Sequence, residues 1–149
     1  MMRKPIQTHS RRGSSVLELA VCLPLLVALA SGVFTYGYSF YVYHGLQQTV
    51  RGGARYGSVA DFDGPDGSNF TAAVKNVTVY GTIDPAQQDK PLLPGLTTGH
   101  VNVTFVVDSA GLPTEIRVEV LDYSVSTVWQ SMRFHQKPRS TFPYQGQLI

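Results

Sequence analysis

One peptide bond, one carboxylate and a group of cations carry the chemistry near the start of this chain. Arg11, Arg12 and Gly13 are followed by Ser14, Ser15, Val16, Leu17 and Glu18, and then by a run without a charged side chain from Leu19 to Tyr43. A carboxylate inside a membrane-spanning helix costs about 2.5–3.5 kcal/mol on insertion scales, so it persists where it has a partner or reaches water. Both readings stand for Glu18. In the first, scission after Gly13 makes Glu18 the fifth residue of the mature chain, one helical turn from a new ammonium at Ser14. The two charges then neutralise each other, within one chain or between neighbours. In the second, Glu18 lies at the cytoplasmic headgroups and its carboxylate is solvated.

No other constellation reaches the spacing that catalysis or metal binding needs. His44, His100 and His135 are isolated from one another and from any Cys or acid at ligand spacing. Ser109 follows Asp108 without the context of a nucleophile elbow, and no phosphate-cradling glycine loop occurs. Asp61, Asp63 and Asp66 put three carboxylates on one short loop. A calcium loop of the helix-loop-helix type needs an acid at its twelfth position, which here is Ala72, so a solvated turn is expected. Cys22 is the only cysteine, which leaves no intrachain disulfide. It lacks the small preceding residue of an acylation site and reads as a packed membrane thiol. The expectation is a protein with no enzyme activity, cofactor or metal.

These groups must be positioned by one long helix. At about 1.5 Å per residue, the uncharged stretch from Leu19 to Tyr43 covers a hydrocarbon core of about 30 Å with some tilt. Phe34, Tyr36, Tyr38, Phe40, Tyr41 and Tyr43 crowd its far end, where aromatic rings favour the headgroup interface. Arg3, Lys4, Arg11 and Arg12 precede it with no acid among them, so the positive-inside bias places residues 1–13 in the cytoplasm and the remainder outside. Pro24 removes one helical hydrogen bond and marks either a kink or a packing point of the helix. A rival processing site is Ala28-Leu29-Ala30 before Ser31, the small-x-small form of a signal-peptidase site, which would release a soluble domain. Against it, Glu18 would sit in the apolar heart of that signal, and apolar residues resume at Val33.

The basic leader ending in Gly13, the Glu five residues on and the long apolar helix resemble type IV pilins and pseudopilins. More narrowly, RRGSSVLELAVCLPLL followed by GLQQTVRGGARYGS is similar to TadE-like minor pseudopilins of the tight-adherence (Flp) pilus machinery. The resemblance covers about the first third of the chain, and more loosely AVKNVTVYG and PLLPGLTTGHVNVTF. It implies a cut between Gly13 and Ser14 by a membrane-embedded aspartyl prepilin peptidase. It also implies a charge-neutralising assembly role for Glu18, a single pass through the bacterial inner membrane, and a periplasmic head. The implied partners are other pilins and pseudopilins, inner-membrane pilus assembly proteins and membrane lipid. The alternative is a membrane-anchored periplasmic binding or adhesive module whose N-terminal anchor stays uncut.

Beyond the span, Leu46, Val50 and Ala54 recur at helical spacing, so the helix is expected to reach about Tyr56. Gly52 and Gly53 mark either a hinge or a close helix contact. Arg51 and Arg55, one turn apart with like charge, are either solvated or face acidic groups of a neighbouring subunit. Ser68 is the expected cap of a short helix bearing Phe70, Val74 and Val77 on one face, although VTVY equally fits a strand from Val77. Residues 81–99, with Pro85, Pro91 and Pro94, read as an irregular connection over the surface.

Alternation at Val101, Val103, Phe105 and Val107, a turn over 108–113, and alternation at Ile116, Val118 and Val120 predict an antiparallel hairpin. Tyr123, Val125 and Thr127 extend the returning strand. The basic tail after Trp129 reads as a loosely packed terminus, with a docking tail as the other reading.

The chain of 149 residues carries a formal charge of +2, but four of its twelve basic residues lie in the leader. The rest is slightly acidic and lacks the clustered Lys and Arg of a nucleic-acid surface, so no nucleic-acid partner is expected. The organisation is therefore a leader over 1–13, a transmembrane helix over 14–43 and one extracytoplasmic head over 44–149. The fold class is α+β, with the long N-terminal helix continuing into a small pilin-like head around an antiparallel β-hairpin or small sheet.

Overall fold

The computed structural model describes residues 12–64, 67–109, 111–126 and 131–146, with side chains from residue 15 onward. Its first element, α1, is a single helix over Arg12–Val59. The chain divides into two units, Met1–Gly37 and Tyr38–Ile149.

The described part of the first unit is helix alone. Its Leu, Val and Phe side chains stand exposed on every side, from Val16 and Leu17 through Leu29 to Phe34. A helix that is apolar all round is a core or membrane element, because water would not tolerate the surface it presents. It is long and apolar enough to cross a membrane.

The second unit has its own core. In its part of α1, Val42, Leu46, Val50 and Ala54 are buried at a stride of four, the stripe that the sequence predicts with one more turn at its start. α1 ends at Val59, a turn later than Tyr56, and the Ala60 amide still donates to the Tyr56 carbonyl at 3.0 Å.

The second helix, α2, spans Ser68–Tyr80, so VTVY is helical and the strand alternative is wrong. The four-residue stride of Phe70, Val74 and Thr78, all buried, prevails over the β-propensity of the valines. Val77 itself is only half-buried. Gly81, at φ 78°, closes α2 by donating its amide to the Val77 carbonyl. The expected Ser68 cap is also corrected. Gly67 holds the cap position at φ 49°, and the Asp63 carboxylate accepts the amides of Asn69 at 3.0 Å and Phe70 at 3.4 Å. A side chain at Gly67 would also press on the rings of Phe62 and Phe105, which pack edge-on at 5.2 Å.

Residues 82–97 are irregular, as expected, yet they do more than wrap the surface. Leu93 and Leu96 drop into the core, and the Leu92 amide donates to Val79 at 2.8 Å. A short 3-10 turn at Thr98–His100 then leads into β1, Val101–Val107. β2 is Pro113–Val120, antiparallel to β1 with Val103 opposite Val118 and Phe105 opposite Ile116. The hairpin is as predicted. The alternating residues Ile116, Val118 and Val120 are fully buried.

The chain does not extend β2 through Tyr123. Asp122 takes a positive φ of 51°, and Tyr123–Ser126 becomes β3, paired instead with β4, Ser131–Phe134, in a two-stranded ribbon. Thr127 and Trp129 lie outside the described residues.

The tail is the largest correction. Arg139–Pro143 forms β5 and pairs antiparallel with the open edge of β2, giving a three-stranded sheet in the order β1-β2-β5. Ser140 sits opposite Val118 and Phe142 opposite Ile116. Beyond β5, the Tyr144 amide donates to Thr114, its hydroxyl donates to the Ala60 carbonyl at 3.0 Å, and the Gln145 amide donates to Ser58 at 2.9 Å. An unpaired central-strand edge is costly, and this terminal segment satisfies it.

Candidate functional site

The groups singled out at the start of the chain lie on the first turns of α1. Gly13 and Ser14 are in its opening turn, and Glu18 follows one turn on. Glu18 is exposed among exposed Val16, Leu17, Leu19 and Val21. Among the described residues it has neither a hydrogen-bond partner nor an ion-pair partner. Its face of the helix continues through Cys22, which is a free, exposed thiol, to Leu25. The chain itself therefore supplies no cation to this carboxylate among the described residues. Pro24 lies inside α1 without ending it and leaves the Ala20 carbonyl without its usual amide donor.

Arg51 and Arg55 are both exposed, and neither makes an ion pair with an acid among the described residues. The structure separates their surroundings. Arg51 lies with Tyr43, Gln47, Lys137, Pro138 and Arg139 around a groove of about 230 Å³, whereas Arg55 is not part of its wall. Three cations thus converge from two distant parts of the sequence. Sequence reasoning missed this group because Lys137 and Arg139 were placed on a loose tail; β5 is what brings them to α1. On the same stretch of helix, the Tyr43 ring packs against Phe134 of β4 with centroids 5.7 Å apart.

A larger groove, about 620 Å³, is lined by Tyr41, His44, Gly45, Thr49, Gly52 and Leu92 among others. Among the described residues its wall holds one histidine, His44, beside Tyr41, Gln48 and Thr49. Among the described residues, the other two histidines are used structurally or stand in solvent. Nδ1 of His100 lies 2.9 Å from Oγ1 of Thr97 and 3.2 Å from its amide nitrogen, inside the short turn before β1. His135 lies 3.2 Å from the Asp122 carboxylate with both side chains largely exposed. Tyr123 donates its hydroxyl to the Pro94 carbonyl at 2.7 Å. Burial, with a smaller contribution from the neighbouring Tyr38, raises its pKa above the ordinary tyrosine value.

The aspartate loop has a structural use. Asp63 caps α2 as described, and Asp66 lies outside the described residues. Among the described residues no three metal-ligating side chains come together.

Comparison with known proteins bears on the helix. Residues 13–55 match the family model of TadE-like proteins, and over that segment the resemblance read from the sequence holds. The match covers Gly13, Ser14, Glu18, Pro24, Arg51 and Arg55. No curated protein and no solved structure matches the chain.

Proposed function

We propose that this chain is a structural minor pseudopilin that takes part in assembling or priming a Flp-type, tight-adherence pilus. It is inserted once in the bacterial inner membrane with residues 1–13 in the cytoplasm, and a prepilin peptidase cuts it between Gly13 and Ser14. Supporting this reading is one coincidence: the TadE-like match begins at Gly13 and runs through the exposed apolar helix that carries Glu18.

The physical role follows from that placement. Apolar helices that leave the bilayer to pack together must not strand a charge, since an unpaired buried carboxylate is strongly unfavourable. A Ser14 ammonium from an adjacent subunit satisfies Glu18, fixes the axial offset between the helices and leaves the remaining contacts apolar. The head makes the lateral contacts.

Exchanging residues 14–37 for an unrelated membrane anchor tests this. Under the pseudopilin reading the exchanged protein reaches the membrane but supports no pilus. Full pilus assembly with the foreign anchor would instead identify an anchored binding or adhesive module whose helix only tethers it.

A further inference from the structure

We propose that the groove between α1 and the start of β5 binds the phosphate of an anionic phospholipid in the outer leaflet of the membrane that α1 crosses. This rests on the single-pass reading of α1 and does not depend on cleavage at Gly13.

The groove is built for an anion. Arg51 supplies one wall, Lys137 and Arg139 the other, and no acid lines it among the described residues. All three cations are exposed, and none is within ion-pairing distance of a carboxylate among the described residues. The nearest acid in register is Glu119, opposite Arg139 across β2 and β5, but its carboxylate accepts a hydrogen bond from the Asn102 side chain at 2.8 Å. Buried Pro138 fixes the turn between the two tail cations, and its carbonyl accepts the Val120 amide at 3.1 Å. Like charges held close on either side of this turn repel, and an anion bound among them relieves that repulsion.

Position identifies the source of that anion. Tyr38, Phe40 and Tyr41 are exposed on α1 and form the aromatic band expected at a headgroup interface. Tyr43, Gln47 and Arg51 follow at four-residue steps, so the groove runs up one face of the same helix from just beyond that band. Each step is about 6 Å, and the headgroup layer adds about 5–8 Å to each side of the hydrocarbon. Gln47 therefore stands at phosphate level, the long side chains of Arg51, Lys137 and Arg139 around the same groove reach toward it, and Tyr43 and Gln47 offer a hydroxyl and an amide to the ester and glycerol oxygens. Cations on the outer side of a span run against the positive-inside bias, and a lipid phosphate accounts for them.

The full chain in mild detergent, mixed with equal amounts of phosphatidylglycerol and phosphatidylcholine, is read by native mass spectrometry. Retention of phosphatidylglycerol about ten-fold over phosphatidylcholine is expected. The variant R51Q/K137Q/R139Q should fall to near parity, and the charge-matched R55Q/K75Q/K90Q should keep the preference. Parity in the unsubstituted protein, or equal loss in both variants, would overturn the proposal. So would full displacement of the lipid by millimolar glycerol 1-phosphate, which would make the groove a site for soluble phosphates. Carbodiimide cross-linking of Lys137 to an acidic side chain of a co-purifying protein, without lipid preference, would make it a protein interface. The intact masses in the same spectra report processing separately, so a failure of the pseudopilin reading is distinguishable from a failure here.

Discussion

Gly53 of α1 lies so close to Thr78 of α2 that a β-carbon at position 53 would collide with the threonine hydroxyl. Thr78 is fully buried and returns that hydroxyl to the Val74 carbonyl at 2.7 Å. One turn on, a β-carbon at Gly57 would sit 3.2 Å from Val74 and 3.4 Å from Ile116. The two glycines thus let the outer part of α1 approach α2 and the central strand directly. Of the two readings open for the Gly52-Gly53 pair, close helix contact holds for Gly53, whereas Gly52 faces open space.

Neighbouring glycines should therefore respond with opposite signs. Gly53→Ala is expected to destabilise the head by about 1–3 kcal/mol through overpacking. Gly52→Ala should be neutral or stabilising by up to about 1 kcal/mol from helix propensity alone. Thermal unfolding of the full chain in detergent separates them, since 1 kcal/mol corresponds to about 4–8 °C in a domain of about this size. Equal melting temperatures for the two variants would remove the Gly53–Thr78 contact from the account.

The cap of α2 gives a second contrast. Asp63→Ala removes the acceptor for two helix-terminal amides and should cost about 0.5–2 kcal/mol, while Ser68→Ala should change little. Urea unfolding of the two variants measures this. A larger loss at Ser68 would restore that residue as the cap.

Removing residues 137–149 deletes β5 and uncovers the edge of β2 beside buried Ile116 and Val118. The head should then lose its cooperative unfolding transition and become sensitive to limited proteolysis. The milder Tyr144→Phe removes one hydrogen bond to Ala60 and should cost about 0.5–1.5 kcal/mol. A truncated head as protease-resistant as the intact one would mean that the segment is a dispensable tail.

Much of the helix and its chemistry was legible because local spacing writes it. The stride of four at Leu46, Val50 and Ala54 and the alternation at Ile116, Val118 and Val120 each record a burial pattern directly. The relation of Gly13, Ser14 and Glu18 is likewise a matter of spacing along one helix.

What escaped depends on residues far apart in the chain. Asp63 reaches across a turn to cap α2, and the positive φ at Gly67 makes that turn possible. β5 has little signal of its own, since Phe142 is its only large apolar residue near the core and its partner strand lies well upstream. The groove cations Arg51, Lys137 and Arg139 meet only once β5 has paired.

Glu18 carries the next expectation. Glu18→Ala should be processed normally yet fail to join an assembly, with Glu18→Gln behaving the same way because it retains shape but not charge. Pilus yield by electron microscopy or shearing is the readout. Normal yield from either variant would remove the charge-neutralising role and leave Glu18 as a solvated headgroup-level side chain.

The central claim rests on where the mature chain begins. The N-terminal sequence and intact mass of the protein recovered from membranes of its native host should show a chain starting at Ser14, and Gly13→Ala should accumulate the longer precursor. A chain starting at Met1 would contradict processing and favour a plain anchor, and one starting at Ser31 would make the product a soluble secreted domain.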